Sequence, residues 1–210
     1  MTGRSHLTPA VFLDRDGVIN ANREDYVRCW TEFTFLPGAL DALRRLAALA
    51  WPVVVISNQA AIGRGLVSRE AVEEVNGRMV AAVQAAGGRI DDVLYCPHRP
   101  EEACGCRKPQ PGLLLRAADR LNLDLSLSFL VGDAECDVLA AQAAGLRPVL
   151  VRTGRGEAQL TLMRQHGVDG FHLADDLPGA VDWIVNCAQR TAPAAGSPPC
   201  DLHRKRSDVH

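Results

Sequence analysis

The run Ala10-Val11-Phe12-Leu13-Asp14-Arg15-Asp16-Gly17-Val18-Ile19-Asn20 changes character in its middle. Its apolar first part reads as a strand buried on both faces, which delivers Asp14 at its end. In extended backbone, side chains at i and i+2 point the same way, so Asp14 and Asp16 are expected to converge on one site. Gly17 then lets the backbone turn sharply. A carboxylate held against a divalent cation stays ionised and can attack phosphorus. A second carboxyl beside it can protonate a leaving oxygen and later activate water. Taken alone, the segment reads equally well as an Asp- and Gly-rich turn at a strand end.

The rest of the chain repeats the pattern of apolar strand then amphipathic helix. Val53–Ile56, Val93–Tyr95, Phe129–Val131 and Pro148–Val151 read as strands. Between them, Gly38–Leu49 is helical, with Leu40, Leu43, Leu46 and Ala47 on one face. Ser68 caps a helix that buries Val72, Val75, Met79 and Val83 and stops at Gly87-Gly88. Pro111 opens a helix carrying Leu114, Ala117, Ala118 and Leu121, and Gly145 ends the next. Helices near Glu157–His166 and Leu177–Cys187 finish the domain. This alternation predicts an α/β fold, a Rossmann-like parallel sheet covered by helices on both faces. The loops after its strands gather at one edge, where such sheets bind ligands. The predicted domain spans 1–190. From Thr191 the chain turns Pro-, Ala-, Gly- and Ser-rich, then polar and basic, so 191–210 is read as a disordered tail.

The remaining strand ends add chemistry in sequence order. The second strand runs into Ser57-Asn58-Gln59, where a hydroxyl and backbone N–H groups can hold phosphoryl oxygens. Lys108, ahead of a helix, can neutralise phosphoryl charge. The fourth strand runs into Gly132-Asp133, with Asp137 one helical turn later. Asp14, Asp133 and a backbone carbonyl of the first loop make the oxygen set that Mg²⁺ prefers. Singly, Ser57 could be a helix cap, and Lys108 and Asp137 surface charges; together they share one edge of one sheet. The intervals from Asp16 to Ser57 and from Ser57 to Lys108 leave no room for a lid domain of ordinary size. The site is expected to be open, with Tyr26, Arg64 and Arg107 as candidates for selectivity. Tyr26 reads equally as a packed aromatic, and Arg64 as a solvated charge.

The ordered set Asp14-x-Asp16-Gly17, Ser57-Asn58, Lys108-Pro109 and Gly132-Asp133-x-x-x-Asp137 resembles the haloacid-dehalogenase phosphatases, over about Val11 to Gly156. The resemblance implies Asp14 as nucleophile, Asp16 as acid and base, and Mg²⁺ as cofactor, held by Asp14, Asp16 and Asp133. It further implies that Ser57 and Lys108 bind the transferring phosphoryl group, that Asn58 and Gln59 lie against the substrate, and that Asp137 supports the metal site.

A second cluster is Cys96-Pro97-His98 followed by Cys104-Gly105-Cys106. Its three thiols and an imidazole match a tetrahedral Cys₃His zinc site, closed and therefore structural. Free surface cysteines are the plainer reading. The loop 96–106 has no apolar core of its own and leads straight into Arg107 and Lys108. Cys-x-His…Cys-x-Cys-Arg-Lys-Pro, with Ser57–Gly65 and Phe35–Gly38, is similar to the heptose-1,7-bisphosphate 7-phosphatases. The neighbouring histidinol-phosphate phosphatases share much of it. Ala61 stands where that family usually has Gly, the loop between the two ligand pairs is short compared with some members, and the tail is extra. The resemblance implies removal of the C7 phosphate of D-glycero-D-manno-heptose 1,7-bisphosphate, with histidinol phosphate as the alternative substrate.

The bulk composition fits. With 210 residues, 47% apolar, 23% charged and a net charge of −2, the chain has an ordinary globular balance and no basic field for nucleic acid or anionic lipid. A zinc-stabilised nucleic-acid module, with His203-Arg204-Lys205-Arg206 as its basic element, is disfavoured by that charge and by the carboxylate set. No run is apolar enough for a signal peptide or a membrane span, so a cytoplasmic protein with reduced thiols is expected. The expected partner is a small phosphorylated sugar, with no nucleic acid and no membrane, and the chain acting as a monomer.

Overall fold

The computed structural model describes residues 7–191. Except for Thr191, the stretch read as a tail lies outside them. The strands are β1 (Val11–Leu13), β2 (Val53–Asn58), β3 (Asp92–Cys96), β4 (Phe129–Gly132), β5 (Arg147–Val151) and β6 (His172–Ala174). The helices are α1 (Ala39–Ala47), α2 (Ala60–Gly63), α3 (Arg69–Ala85), α4 (Gly112–Leu121), α5 (Glu135–Ala144), α6 (Gly156–His166) and α7 (Leu177–Thr191). They form a six-stranded sheet in the order β3-β2-β1-β4-β5-β6, with every pair parallel.

The central strands are largely apolar because both of their faces are covered. Val11, Leu13, Val53, Val55, Phe129 and Val131 pack against Leu43, Leu46, Val75, Met79, Val181 and Ile184 of α1, α3 and α7. Phe12, Val54, Ile56 and Leu130 point the other way, against Leu113, Leu114, Ala117, Ala140 and Ala141 of α4 and α5. Burying a large apolar side chain contributes roughly 1.5–3 kcal/mol, so these two layers dominate the stability. The helix ends follow local chemistry. The Ser68 hydroxyl accepts the Ala71 N–H at 3.1 Å to start α3, and Gly145, at φ 77°, ends α5.

Two short elements had no sequence signal. The edge strand β6 has only His172, Leu173 and Ala174, without a β-branched residue. Helix α2 is a single turn of four residues; Ala61 is fully buried within it. The chain leaves β1 for β2 and β3 on one side, then returns to place β4 on the other side of β1. Such a reversal opens a crevice at the carboxyl ends of the strands.

Candidate active site

A cavity of about 750 Å³ lies at that edge. Asp14, Asp16, Tyr26, Ser57, Asn58, Gln59, Arg64, Arg107, Lys108 and Asp137 all line it. Asp133 lies beneath, fully buried.

At the floor, the Lys108 ammonium is enclosed by acceptors. Its Nζ lies 2.7 Å from Asp14 Oδ1, 2.8 Å from the Ile56 carbonyl and 2.6 Å from Asp137 Oδ1. The last contact is an ion pair off the hydrogen-bond line, since Asp137 Oδ1 has no aligned donor. The other oxygen, Asp137 Oδ2, accepts the Ala134 N–H at 3.1 Å and so also starts α5. Asp14 is held in place by its own N–H, which donates to the Val131 carbonyl at 2.8 Å.

Three carboxylates crowd one buried point: oxygens of Asp14, Asp133 and Asp137 lie within 4.8 Å of one another. Burial, with Asp137, Asp133 and Asp16 adding repulsion against the attraction of Lys108, pushes the Asp14 carboxyl up to about 7. Burial and Asp137 likewise raise Asp133, against the pull of Arg155. Although desolvation opposes its charge, the same carboxylates hold Lys108 well above the usual ammonium range. Asp133 Oδ1 has no hydrogen-bond partner, while its Oδ2 accepts the Arg155 N–H at 2.8 Å. A buried, unpartnered carboxylate oxygen among like charges fits a divalent cation. Gly17, at φ 88°, comes so close that any side chain there would overlap Asp133 Oδ2.

Asp16 stands apart from this group. Its carboxylate receives Arg15 Nη2 at 3.1 Å on both oxygens, Asn20 Nδ2 at 2.9 Å and Gln59 Nε2 at 2.9 Å. Against the upward push of burial, Arg15 and these hydrogen bonds hold it below the usual carboxylate range. The Asp16 carboxylate is thus engaged by Arg15, Asn20 and Gln59. The carboxylates that converge are Asp14, Asp133 and Asp137, because backbone extension ends at Leu13 and Asp16 already bridges back to Asn20.

The substrate candidates divide likewise. Asn58 is occupied structurally: its amide and the backbone of Lys108 exchange two hydrogen bonds of 3.1 Å. Gln59 braces Asp16 and also donates to Ser57 Oγ at 2.7 Å. Arg64 donates to the Tyr26 hydroxyl at 2.7 Å across the mouth of the cavity. Arg107 is tied only by a 3.4 Å hydrogen bond to the His98 carbonyl.

Cys96, His98, Cys104 and Cys106 also converge, with ligand atoms within 4.8 Å. Neighbouring sulfurs lie 3.3–3.4 Å apart. Burial pushes the Cys96 thiol up to about 12. For Cys104, hydrogen bonds from Cys106, Cys96 and the backbone outweigh burial and bring it down to about 6. Thiols this close repel once ionised, and a soft cation relieves that repulsion. The loop is seated on the catalytic edge: the Gln59 N–H donates to the Cys96 carbonyl at 2.8 Å and the Gly63 N–H to the Pro97 carbonyl at 2.9 Å. A side chain at Gly63 would press into that carbonyl.

The HAD-hydrolase-like family model matches residues 105–180. The D-glycero-β-D-manno-heptose-1,7-bisphosphate 7-phosphatase of Pseudomonas putida is 41% identical over 150 residues, which is 71% of this chain and 86% of that protein. The chain belongs to this heptose bisphosphate phosphatase family. The family member of Escherichia coli K12 is 36% identical over 186 residues, covering 85% of this chain and 88% of that one. The solved structure of the B. bronchiseptica D,D-heptose 1,7-bisphosphate phosphatase, complexed with magnesium and phosphate, superposes with a TM-score of 0.80 at 36% identity. That match covers 85% of this chain and 98% of the other. As a family member, the chain is a phosphatase with a haloacid-dehalogenase-like fold.

Other residues at this family's site escaped the sequence reading. Arg15 lies between the two aspartates and is buried, with nothing in the local sequence to mark it. Arg155 lines the cavity from the loop after β5, with its Nη2 3.6 Å from Asp133 Oδ1. Nothing local distinguishes it; only the adjacency of β4 and β5 brings it there.

Proposed function

We propose that the chain hydrolyses the C7 phosphate of D-glycero-D-manno-heptose 1,7-bisphosphate through an aspartyl-phosphate on Asp14. The observation that carries this reading is the buried Asp14–Lys108–Asp137 cluster, with Asp133 beneath it, at the floor of an open cavity. Asp14 and Asp133, with the backbone carbonyl of Asp16, would hold Mg²⁺, and Asp137 would support them. The bound ion supplies the positive charge that lets a phosphate dianion approach an ionised carboxylate.

Asp14 attacks phosphorus in line with the C7 oxygen. The P–O bond to the sugar breaks, and the leaving oxygen takes a proton from Asp16. Asp16 is ionised in the free protein; the approach of a phosphate dianion raises its proton affinity, and it takes this proton from solvent before the leaving oxygen departs. Lys108 and Ser57 bind the transferring phosphoryl oxygens. Water then attacks the aspartyl-phosphate and gives its proton to Asp16. Inorganic phosphate leaves, and Asp14 returns as a carboxylate.

Heptose bisphosphate carries a second phosphate, which needs a cation away from Asp14. Arg107, which among the described residues makes one long hydrogen bond, would supply it, since a guanidinium suits phosphate through paired hydrogen bonds. Cys96, His98, Cys104 and Cys106 would hold a structural Zn²⁺. The described residues include no helix long and apolar enough to cross a membrane, and a cytoplasmic setting fits both free thiols and a sugar phosphate substrate. The test is a set of steady-state profiles on heptose bisphosphate, histidinol phosphate and a generic phosphate ester. Arg107→Ala should lower kcat/KM for the bisphosphate by about tenfold, and much less for the generic ester. Equal or better turnover of histidinol phosphate by the wild type would overturn the substrate assignment and leave the phosphatase chemistry standing.

A further inference from the structure

Asn76 is a polar residue on the core side of α3, where its buried companions are Val72, Val75, Met79 and Val83. It is 7% exposed. A buried amide needs partners, and its Oδ1 accepts a hydrogen bond from Arg15 Nη1 at 2.9 Å. Arg15 is itself buried, at 1% exposure, and its Nη2 straddles both oxygens of Asp16 at 3.1 Å. The Arg15 Nε has no partner, so the two ends of the guanidinium set its orientation. A guanidinium is planar and rigid, and fixing one end fixes the other. A continuous path thus runs from the back of the core, through Arg15, to the floor of the cavity.

We propose that Asn76 is a positioning residue for the acid–base step, acting through Arg15 to fix the direction in which Asp16 presents its carboxyl to the leaving oxygen. The proposal rests on the reading of Asp16 as that acid. Neutralising the Arg15 charge does not require Asn76, because Asp16 already does it. The amide adds direction. Asn20 and Gln59 also hold Asp16, so loss of Asn76 loosens the carboxyl without releasing it.

The experiment compares kcat/KM for heptose bisphosphate, an alkyl ester, with that for p-nitrophenyl phosphate. A sugar alkoxide needs a proton to leave, whereas nitrophenolate does not. The ratio kcat/KM covers only steps up to departure of the leaving group, so hydrolysis of the common phosphoenzyme drops out. Asp16→Asn should lower the alkyl-to-aryl ratio by about a hundredfold or more, and Asn76→Leu should lower it in the same sense by about tenfold. Asn76→Asp keeps an acceptor for Arg15 and should stay near wild type. Equal loss on both esters in Asn76→Leu, with Asp16→Asn still selective, overturns the positioning role alone. An unselective Asp16→Asn overturns the acid reading and the positioning role with it. If Asn76→Leu fails to fold, Arg15→Lys is put through the same comparison, because a single ammonium cannot reach both partners; equal loss on both esters would again overturn the positioning role.

Discussion

The carboxylate–lysine cluster and the Cys/His loop adjoin at Arg107 and Lys108, yet they are held together differently. Asp14, Lys108 and the pair Asp133 and Asp137 come from three separate segments, with Asp14 and Lys108 94 positions apart. None is more than 5% exposed. Cys96 and Cys106 are 10 positions apart, and His98, Cys104 and Cys106 are only partly buried. Three crowded carboxylates, two of them paired with one ammonium in a low-dielectric site, persist only because the sheet and its two helical layers hold them there. The loop has little apolar surface of its own, so its order depends on what its thiols bind. The fold sustains the first region, and a metal would sustain the second.

The largest expected effect breaks the first region chemically while leaving the second alone. Asp14→Asn should lose at least about a thousandfold in kcat and keep its fold and its zinc content. Turnover within tenfold of wild type would remove Asp14 as nucleophile. Next, Lys108→Met should destabilise the metal-free protein by about 3–5 kcal/mol, because it leaves buried carboxylates without their cation. Added Mg²⁺ should recover part of that in denaturant titrations. Unchanged stability would show that the fold does not depend on this charge balance.

A milder change is expected from Cys104→Ser. Zinc content should fall from about one per chain to well below it, and kcat by about tenfold, as Arg107 and Lys108 lose their anchor. No zinc in freshly reduced wild-type protein would refute the metal's part in the comparison. The smallest effect concerns pH. With Asp14 pushed up to about 7 in the absence of metal, protons compete with Mg²⁺ as the pH falls below that value. The half-saturating Mg²⁺ concentration should rise severalfold between pH 7 and 6, at most about tenfold per unit. A flat Mg²⁺ requirement across that range would mean that the cation does not bind at Asp14.

Much of this was legible locally. The apolar strands announced a doubly covered parallel sheet, and the Cys96–Cys106 spacing announced its cluster, because periodicity and short loops constrain what near neighbours can reach. The i, i+2 argument for Asp14 and Asp16 carried only part way. Both line the cavity, but the strand ends before them, and their carboxylates turn to different partners. The Asn58 and Gln59 side chains, expected at the substrate, line the cavity and also brace Lys108 and Asp16.

The sequence by itself determined the residue types at each strand end and the order in which they come, since strand, turn and metal-ligand spacing are local properties. Only the tertiary structure decided which charges share a site. Lys108 could pair with any carboxylate until the strand order set β1 between β2 and β4. That packing gathers Asp14, Asp133 and Asp137, pairs Asp14 and Asp137 with one ammonium, turns Arg15 inward to Asn76, and brings Arg155 over Asp133. Burial and distance set electrostatic energies, and neither exists until the chain has folded.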